Sequence, residues 1–340
     1  MSQLDHYLKN FAGCRILVVG DLMLDEYLWG HVERISPEAP VPVLNLVKQA
    51  AALGGAGNVV RNLCSLGALV TVAGVIGQDG AGDRILALLE ALGAETSGVL
   101  RDPGRKSTRK TRLISLEHGQ QVFRIDEEST EEVRGETEDR LTTLLRTMPP
   151  GAQAVLCSDY QKGLLTPPVL AAVFRAARRQ KLPCIVGPKN SQVQKYRGAS
   201  VLMPNLRELA QLAGKRGQGD AWMGEAARRL IEKLGLDALV VTRGGEGMRL
   251  FEPGKGGLRQ VEIPTVARSV YDVTGAGDTA IAAFSLAVAA GAGWEAAAQL
   301  ANLAAGVVVG KRGTESVTPP EMQAQLGARR GGPSTRKRRR

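Results

Sequence analysis

Near the carboxyl end of the chain, Asp272-Val273-Thr274-Gly275-Ala276-Gly277-Asp278 sets two carboxylates around a run of small residues. An alanine-rich stretch of helical character starts directly after it, at Thr279. Backbone N–H groups at a helix N-terminus form an anion site, and glycine lets a ligand come close to them. A carboxylate beside such a site suits removal of a proton from a hydroxyl that attacks a phosphoryl group. The same seven residues would also serve as a glycine turn with an aspartate N-cap.

Four further segments have residue types that do chemistry. Leu53-Gly54-Gly55-Ala56-Gly57-Asn58 precedes a helix, and Asn58 suits a polyhydroxylated ligand, or a simple helix cap. Gly20-Asp21 through Asp25 follows the first strand, where open α/β sheets bind ligands; either aspartate suits sugar hydroxyls or a turn. Thr242-Arg243-Gly244-Gly245-Glu246-Gly247 closes a strand, as a hairpin turn or a nucleotide-phosphate loop. Pro204-Asn205-Leu206-Arg207-Glu208 sets an amide and a carboxylate three apart at a helix start, suited to magnesium-bound waters or to a capping box.

Absences narrow the chemistry. There is no G-x-x-x-x-G-K-[ST] loop and no G-x-G-x-x-G after the first strand. Three histidines, His6, His31 and His118, make a histidine triad or metal cage improbable. The four cysteines, Cys14, Cys64, Cys157 and Cys184, are far apart with no C-x-x-C pair, which reads as reduced thiols in a cytoplasmic protein. The N-terminus has early charges and no apolar signal region, and the longest apolar run, between Asp278 and Glu295, is too short to span a membrane. Seven basic residues lie between Arg329 and Arg340 with no acid among them, so without them the net charge of +10 falls to +3. The basicity belongs to the tail, and no specific nucleic-acid partner is expected.

The elements that position these segments alternate. Short apolar runs, Ile16–Val19, Val70–Ile76, Ala154–Cys157, Cys184–Val186, Val201–Met203 and Leu239–Thr242, read as strands covered on both faces. Helical stretches lie between them at Gly57–Ser65, Arg84–Leu92, Glu131–Thr147, Pro168–Arg179, Met223–Leu234 and Thr279–Ala290. The alternation predicts an α/β fold with a doubly wound, mostly parallel sheet. Val41–Lys48, and a hairpin of Lys110–Glu117 with Gln121–Asp126, break the rhythm and predict a small β lid, roughly residues 41–48 and 107–126. The main domain is expected over 1–325, followed by a disordered basic tail over 326–340.

Taken together, these segments resemble the ribokinase family of carbohydrate kinases over nearly the whole chain, about Phe11 to Pro320. The late DVTGAGD and the early GG-x-x-N carry the resemblance. Within the family the chain is most similar to the kinases of ADP-heptose biosynthesis, through Asp21–Tyr27, Arg34–Val43, Ser158–Gly163 and Val307–Thr314. The resemblance implies ATP-dependent phosphorylation of D-glycero-D-manno-heptose 7-phosphate at its anomeric 1-hydroxyl, with magnesium. It implies Asp278 as base, Gly275, Ala276 and Gly277 as anion hole, and Asp25, Gly54, Gly55 and Asn58 as sugar contacts. Asn205 and Glu208 would organise magnesium through water, Thr242, Gly244 and Gly247 would hold the nucleotide, and Asn302 would lie near the adenine. Asp272, Thr274, Gly313 and Ser316 fall where relatives bind a monovalent cation such as potassium.

By charge and lid position, Lys110, Arg112 and Lys162, with Arg105, Lys106 and Arg109, are candidates for the substrate's own phosphate or are solvated surface. A homodimer through the lid strands is also implied. The chain has no H-x-G-H motif, so nucleotidyl transfer is expected from another protein. The heptose kinases usually read D-P-K where this chain has Gly187-Pro188-Lys189. Competing readings are another sugar or nucleoside kinase, which the Arg34–Val43 run disfavours, and a non-catalytic sugar-phosphate sensor, which Asp278 and the nucleotide loop disfavour.

Overall fold

The computed structural model describes residues 3–117, 119–189, 192–214, 217, 219–267, 271–311 and 315–330, with backbone alone for 328–330. His118, Gly313 and the basic segment 331–340 lie outside the described residues.

The chain opens with α1 (Gln3–Lys9), β1 (Arg15–Gly20) and two long strands, β2 (Leu22–Ile35) and β3 (Pro42–Gly55). Next come α2 (Ala56–Ser65), β4 (Leu69–Gly77), α3 (Gly80–Ala91) and β5 (Glu95–Asp102). The hairpin β6 (Thr108–Ser115) and β7 (Gln121–Glu127) leads to α4 (Gly135–Leu145), β8 (Ala154–Ser158), α5 (Pro167–Arg179) and β9 (Cys184–Gly187). After β10 (Val201–Leu202), α6 (Leu206–Leu212), α7 (Gly219–Leu234) and β11 (Ala238–Thr242) comes the pair β12 (Met248–Gly254) and β13 (Gly257–Ile263). Three helices, α8 (Ala276–Ala289), α9 (Trp294–Val308) and α10 (Pro319–Arg330), complete the described chain.

The main sheet has the order β13-β12-β11-β10-β9-β8-β1-β4-β5, parallel except for the antiparallel edge made by β12 and β13. Its continuous apolar strands follow from helices on both faces. In β1, Ile16 and Val18 pack with Val59 of α2 and Phe284 of α8, while Leu17 and Val19 pack with Leu141 of α4 and Val173 of α5. Thr166 starts α5 by accepting from the Val169 N–H, with Pro167 and Pro168 in the first turn, as an N-cap should. Helix α4 is shorter than expected: it begins at Gly135 and ends before Pro149-Pro150. Cys14, Cys157 and Cys184 are buried free thiols and Cys64 is half-buried.

The lid is larger than its sequence suggests. It is a four-stranded sheet, β3-β2-β6-β7, in which β2 pairs antiparallel with β3 and parallel with β6. The expected lid lacked β2, whose first residues read as a loop after β1. No single period spans that strand, because Leu22–Leu24 are buried against the core while His31–Ile35 are largely exposed. Strand β3 likewise runs on to Gly55, so the glycine pair ends a strand rather than lying in a loop. At the other end, α10 reaches Arg330, past the expected boundary at 325, with Met322 and Leu326 buried. Among the described residues no helix is long and apolar enough to cross a membrane.

Candidate active site

Gly275 takes a left-handed conformation, φ 79°, and caps α8, which puts Asp278 in the first helical turn. The Ala276 N–H already donates to the Val273 carbonyl at 3.2 Å. Of the three residues expected to form an anion hole, Ala276 thus already has an acceptor, while the next first-turn amides have none within the helix. Two side chains grip the Asp278 carboxylate. Asn58 Nδ2 donates to Oδ2 at 2.6 Å, and the Tyr160 hydroxyl donates to Oδ1. Burial pushes the Asp278 carboxyl above its usual range, opposed by both hydrogen bonds and by the Lys189 charge. A base raised in this way holds a proton more readily once it has taken one.

Asn58, expected to contact the sugar, bridges Asp278 to Arg61, whose guanidinium donates to Asn58 Oδ1 at 2.8 Å. The glycines before it make room within the protein. A Cβ on Gly54 would fall 2.4 Å from Asp25 Oδ2, and one on Gly55 (φ 56°) 2.5 Å from the Asp21 carbonyl. Asp25 itself accepts from Arg112 at 2.6 Å, and Asp25 stands opposite Lys110 in the β2–β6 register. Asp21 serves the turn: its buried carboxylate accepts the N–H groups of Tyr160, Lys162 and Leu164 at 2.7, 3.2 and 3.2 Å.

Asn205 and Glu208 form a capping box, each side chain accepting the other's backbone N–H at 2.9 Å. The box uses Glu208 Oε2, and Oε1 faces Lys189 Nζ at 3.4 Å. Both residues line the pocket that holds Asp278, Tyr160 and Gly187. A half-buried carboxylate and an amide oxygen are hard donors that fit a magnesium ion through its waters. An adjoining cavity of about 480 Å³ shares Asn205, Thr242 and Gly277 with that pocket and is lined by Gly244, Gly247 and Asn302. The Thr242–Gly247 segment is a tight turn between β11 and β12, and Thr242, Gly244, Gly245 and Gly247 line this cavity.

Of the lid cations, Lys110, Arg112, Lys162, Arg105 and Arg109 have side-chain partners, while Lys106 is exposed and its backbone N–H donates to Ser129 Oγ at 3.1 Å. Lys110 Nζ lies 2.9 Å from Asp126 and 3.1 Å from Glu128, and Lys162 Nζ lies 2.7 Å from the same Glu128 oxygen. Glu128 thus ties a lid strand to the loop after β8. Arg105 holds the carbonyls of Ser129 and Lys162, and Arg109 pairs with Glu127 and Glu26, so both have structural partners. Of the monovalent-cation set, the Ser316 carbonyl already accepts from Lys311 Nζ at 2.6 Å, and Asp272 accepts the Thr274 N–H at 2.8 Å. Gly313 lies outside the described residues. The residue that the site reading missed is Tyr160. The signal was there, in the Ser158-Asp159-Tyr160 run at the carboxyl end of β8, where open α/β sheets place ligands.

A ribokinase-like α/β sheet with a β lid, and a half-buried carboxylate at a helix N-terminus where two pockets meet at Gly277, defines a sugar kinase. Residues 15–321 match the model of the pfkB family of carbohydrate kinases, and the chain belongs to that family. It is 48% identical over 311 residues to the bifunctional protein HldE of Geobacter metallireducens, covering 92% of this chain and 62% of that protein. It is 47% identical over 315 residues to the bifunctional protein HldE of Geobacter sulfurreducens, covering 93% of this chain and 63% of that protein. The chain thus spans under two-thirds of the length of these relatives. Among solved structures, it superposes on Escherichia coli phosphofructokinase-2 in complex with potassium with a TM-score of 0.76 at 18% identity, covering 93% of this chain and 99% of that one. Arabidopsis thaliana ribokinase complexed with ribose and ATP gives a TM-score of 0.72 at 21% identity over 92% and 99%.

Proposed function

We propose that this kinase transfers the γ-phosphoryl group of ATP to the anomeric hydroxyl of D-glycero-D-manno-heptose 7-phosphate, giving the 1,7-bisphosphate in the cytoplasm. The observation that carries the phosphotransfer is Asp278, held by two donors at the α8 N-terminus in the Tyr160 pocket, next to Gly277, which also lines the Thr242–Gly247 cavity. Asp278 takes the hydroxyl proton while the first-turn amides of α8 face the phosphoryl oxygens. Thr242, Gly244, Gly247 and Asn302 hold the nucleotide, and Asn205 and Glu208 hold the waters of magnesium, which supplies charge neutralisation at the phosphates. A potassium ion is part of the proposal, with Asp272, Thr274 and Ser316 among its ligands; the Ser316 carbonyl, which accepts from Lys311, keeps a second lone pair. A homodimer through the lid is supported by apolar side chains that the lid leaves in solvent, Ile35 and Phe123 each at 62% exposure.

The heptose reading rests on the Asp21–Tyr27 and Arg34–Val43 runs and on Lys110 and Lys162, which converge on Glu128 from two elements. A sugar phosphate takes the place of that carboxylate between the two ammonium groups. Lys162→Ala is expected to raise KM for heptose 7-phosphate roughly 10–100-fold, the worth of one charge-assisted contact, with KM for ATP unchanged. Titration of wild type and variant with heptose 7-phosphate and with unphosphorylated heptose checks this. Equal losses for both sugars would remove Lys162 from phosphate recognition.

Gly187 stands where the related kinases have aspartate, and lines the Asp278 pocket. A Cβ there would lie 3.0 Å from Ile281 Cδ1, the movable end of a side chain, so a larger residue is accommodated by a small shift. Gly187→Asp is expected to lower the magnesium midpoint or raise turnover by restoring a carboxylate near the metal waters. A magnesium titration at saturating ATP reads both, and identical midpoints with equal turnover would show the position has no such role.

A further inference from the structure

We propose that Tyr160 is the positioning residue of the base: its phenol and the Asn58 amide clamp the two oxygens of the Asp278 carboxylate from opposite elements and aim it at the sugar hydroxyl. The inference rests on the kinase reading of Asp278 given above.

An aspartate carboxylate turns easily about its last torsion, whose preference is broad and two-fold. One donor fixes a single oxygen; two donors on different elements fix the plane. Here Asn58 comes from α2 and Tyr160 from the loop after β8. Each oxygen keeps lone-pair capacity for a proton after accepting one bond.

Tyr160 is itself held at both ends. Its backbone N–H donates to Asp21 Oδ2 at 2.7 Å, and its ring lies 4.6 Å from Lys189 Nζ. The preceding residue, Asp159, is buried and accepts from the Tyr196 hydroxyl at 2.6 Å and from Lys195 Nζ at 2.6 Å. Two buried carboxylates, Asp21 and Asp159, therefore brace the short loop that delivers one phenol. Buried carboxylates are costly unless bonded, and these two are bonded to the groups that set the loop's shape.

The charged groups around the clamp determine how it responds to pH. Asp278 is faced by Lys189 from the segment after β9, by Asp25 of β2 and by Arg61 of α2. Tyr160 is faced by Asp278, by Glu208 of α6 and by Asp25. Burial and the Asp278 charge hold the phenol well above its ordinary value, so its proton stays on and the group remains a donor. Both clamp bonds favour the ionised carboxylate. Loss of the phenol therefore moves Asp278 further upward, and the acid limb of the kcat profile moves to higher pH.

The experiment follows the Asp278 carboxyl carbon by 13C NMR across pH in the full chain, in wild type and Tyr160→Phe, with Asp278→Asn giving the assignment. Tyr160→Phe keeps the ring and its contact with Lys189. The expected result is a higher Asp278 midpoint in Tyr160→Phe, a roughly tenfold lower kcat at neutral pH, an acid limb displaced upward, and an unchanged KM for ATP. An unchanged carboxyl midpoint, or a loss of kcat with an unmoved pH profile, overturns the proposal. The midpoint is read without substrate. A displaced midpoint in a protein whose wild type phosphorylates no sugar thus upholds the clamp and sinks the kinase reading alone.

Discussion

Asp278→Asn is expected to cut turnover by roughly 10²–10⁴-fold, the usual worth of a positioned base, while nucleotide and sugar still bind. The substitution is isosteric, and the site can satisfy it. The new amide accepts from Asn58 through its oxygen and donates to the Tyr160 oxygen, so each group keeps a partner and only the phenol proton changes acceptor. Steady-state ADP release gives kcat, and titration with ATP gives binding. Near-normal turnover in a clean preparation would reassign the Asp272–Asp278 segment to structure. The wild-type pH profile has a matching sign. The carboxyl lies above its ordinary range, chiefly through burial, and only its ionised form accepts a proton. Activity is therefore lost as pH falls through that raised value, at a higher pH than an exposed aspartate would give.

Gly163→Ala is expected to destabilise the protein by about 2–4 kcal/mol and to lower activity in the fraction that folds. Gly163 has φ 85°, and an added Cβ would fall 1.9 Å from the Glu131 carbonyl oxygen and 2.6 Å from its carbon. Those are backbone atoms, and the same neighbourhood is pinned by the Val133 N–H donating to the Gly163 carbonyl at 2.9 Å. Relief requires moving the loop that holds Tyr160 and Lys162. Gly291→Ala is the control: φ is 88°, but nothing lies within 4 Å of its Cβ, so it costs about 1 kcal/mol from backbone strain alone. Denaturant midpoints of the two variants separate steric from conformational cost. Equal midpoints would show that the Glu131 contact relaxes freely.

The main sheet was legible because both its faces are covered. Ile16–Val19 is apolar at every position, since odd and even residues each meet a helix layer, and such runs stand out against the polar helices between them. The lid strand β2 was not legible, because it changes environment along its length from core to solvent, follows Asp21 and holds Asp25 and Glu26 near its start. Asp278 could be found from its place between small residues and a helix. Its partners could not: Asn58 lies 220 residues away and Tyr160 118, and only folding brings them together. Spacing also left Asn205 and Glu208 undecided between a capping box and a metal site. The structure shows the box made with one Glu208 oxygen, while the other faces Lys189. Glu128, at the centre of the lid cations, drew no attention in sequence because a carboxylate in the acidic run Asp126–Glu132 reads as ordinary surface.

The central claim is that this chain phosphorylates a sugar phosphate at its anomeric hydroxyl, and 31P NMR of the reaction mixture tests it most directly. With ATP, magnesium and D-glycero-D-manno-heptose 7-phosphate, the account predicts ADP together with a new phosphomonoester signal coupled to the anomeric proton, the 7-phosphate signal persisting beside it. Ribose, fructose 6-phosphate and unphosphorylated heptose, supplied in its place, should yield far less ADP. ADP formation that is no faster with the heptose phosphate than without it, or a new phosphate on any carbon other than the anomeric one, would contradict the account.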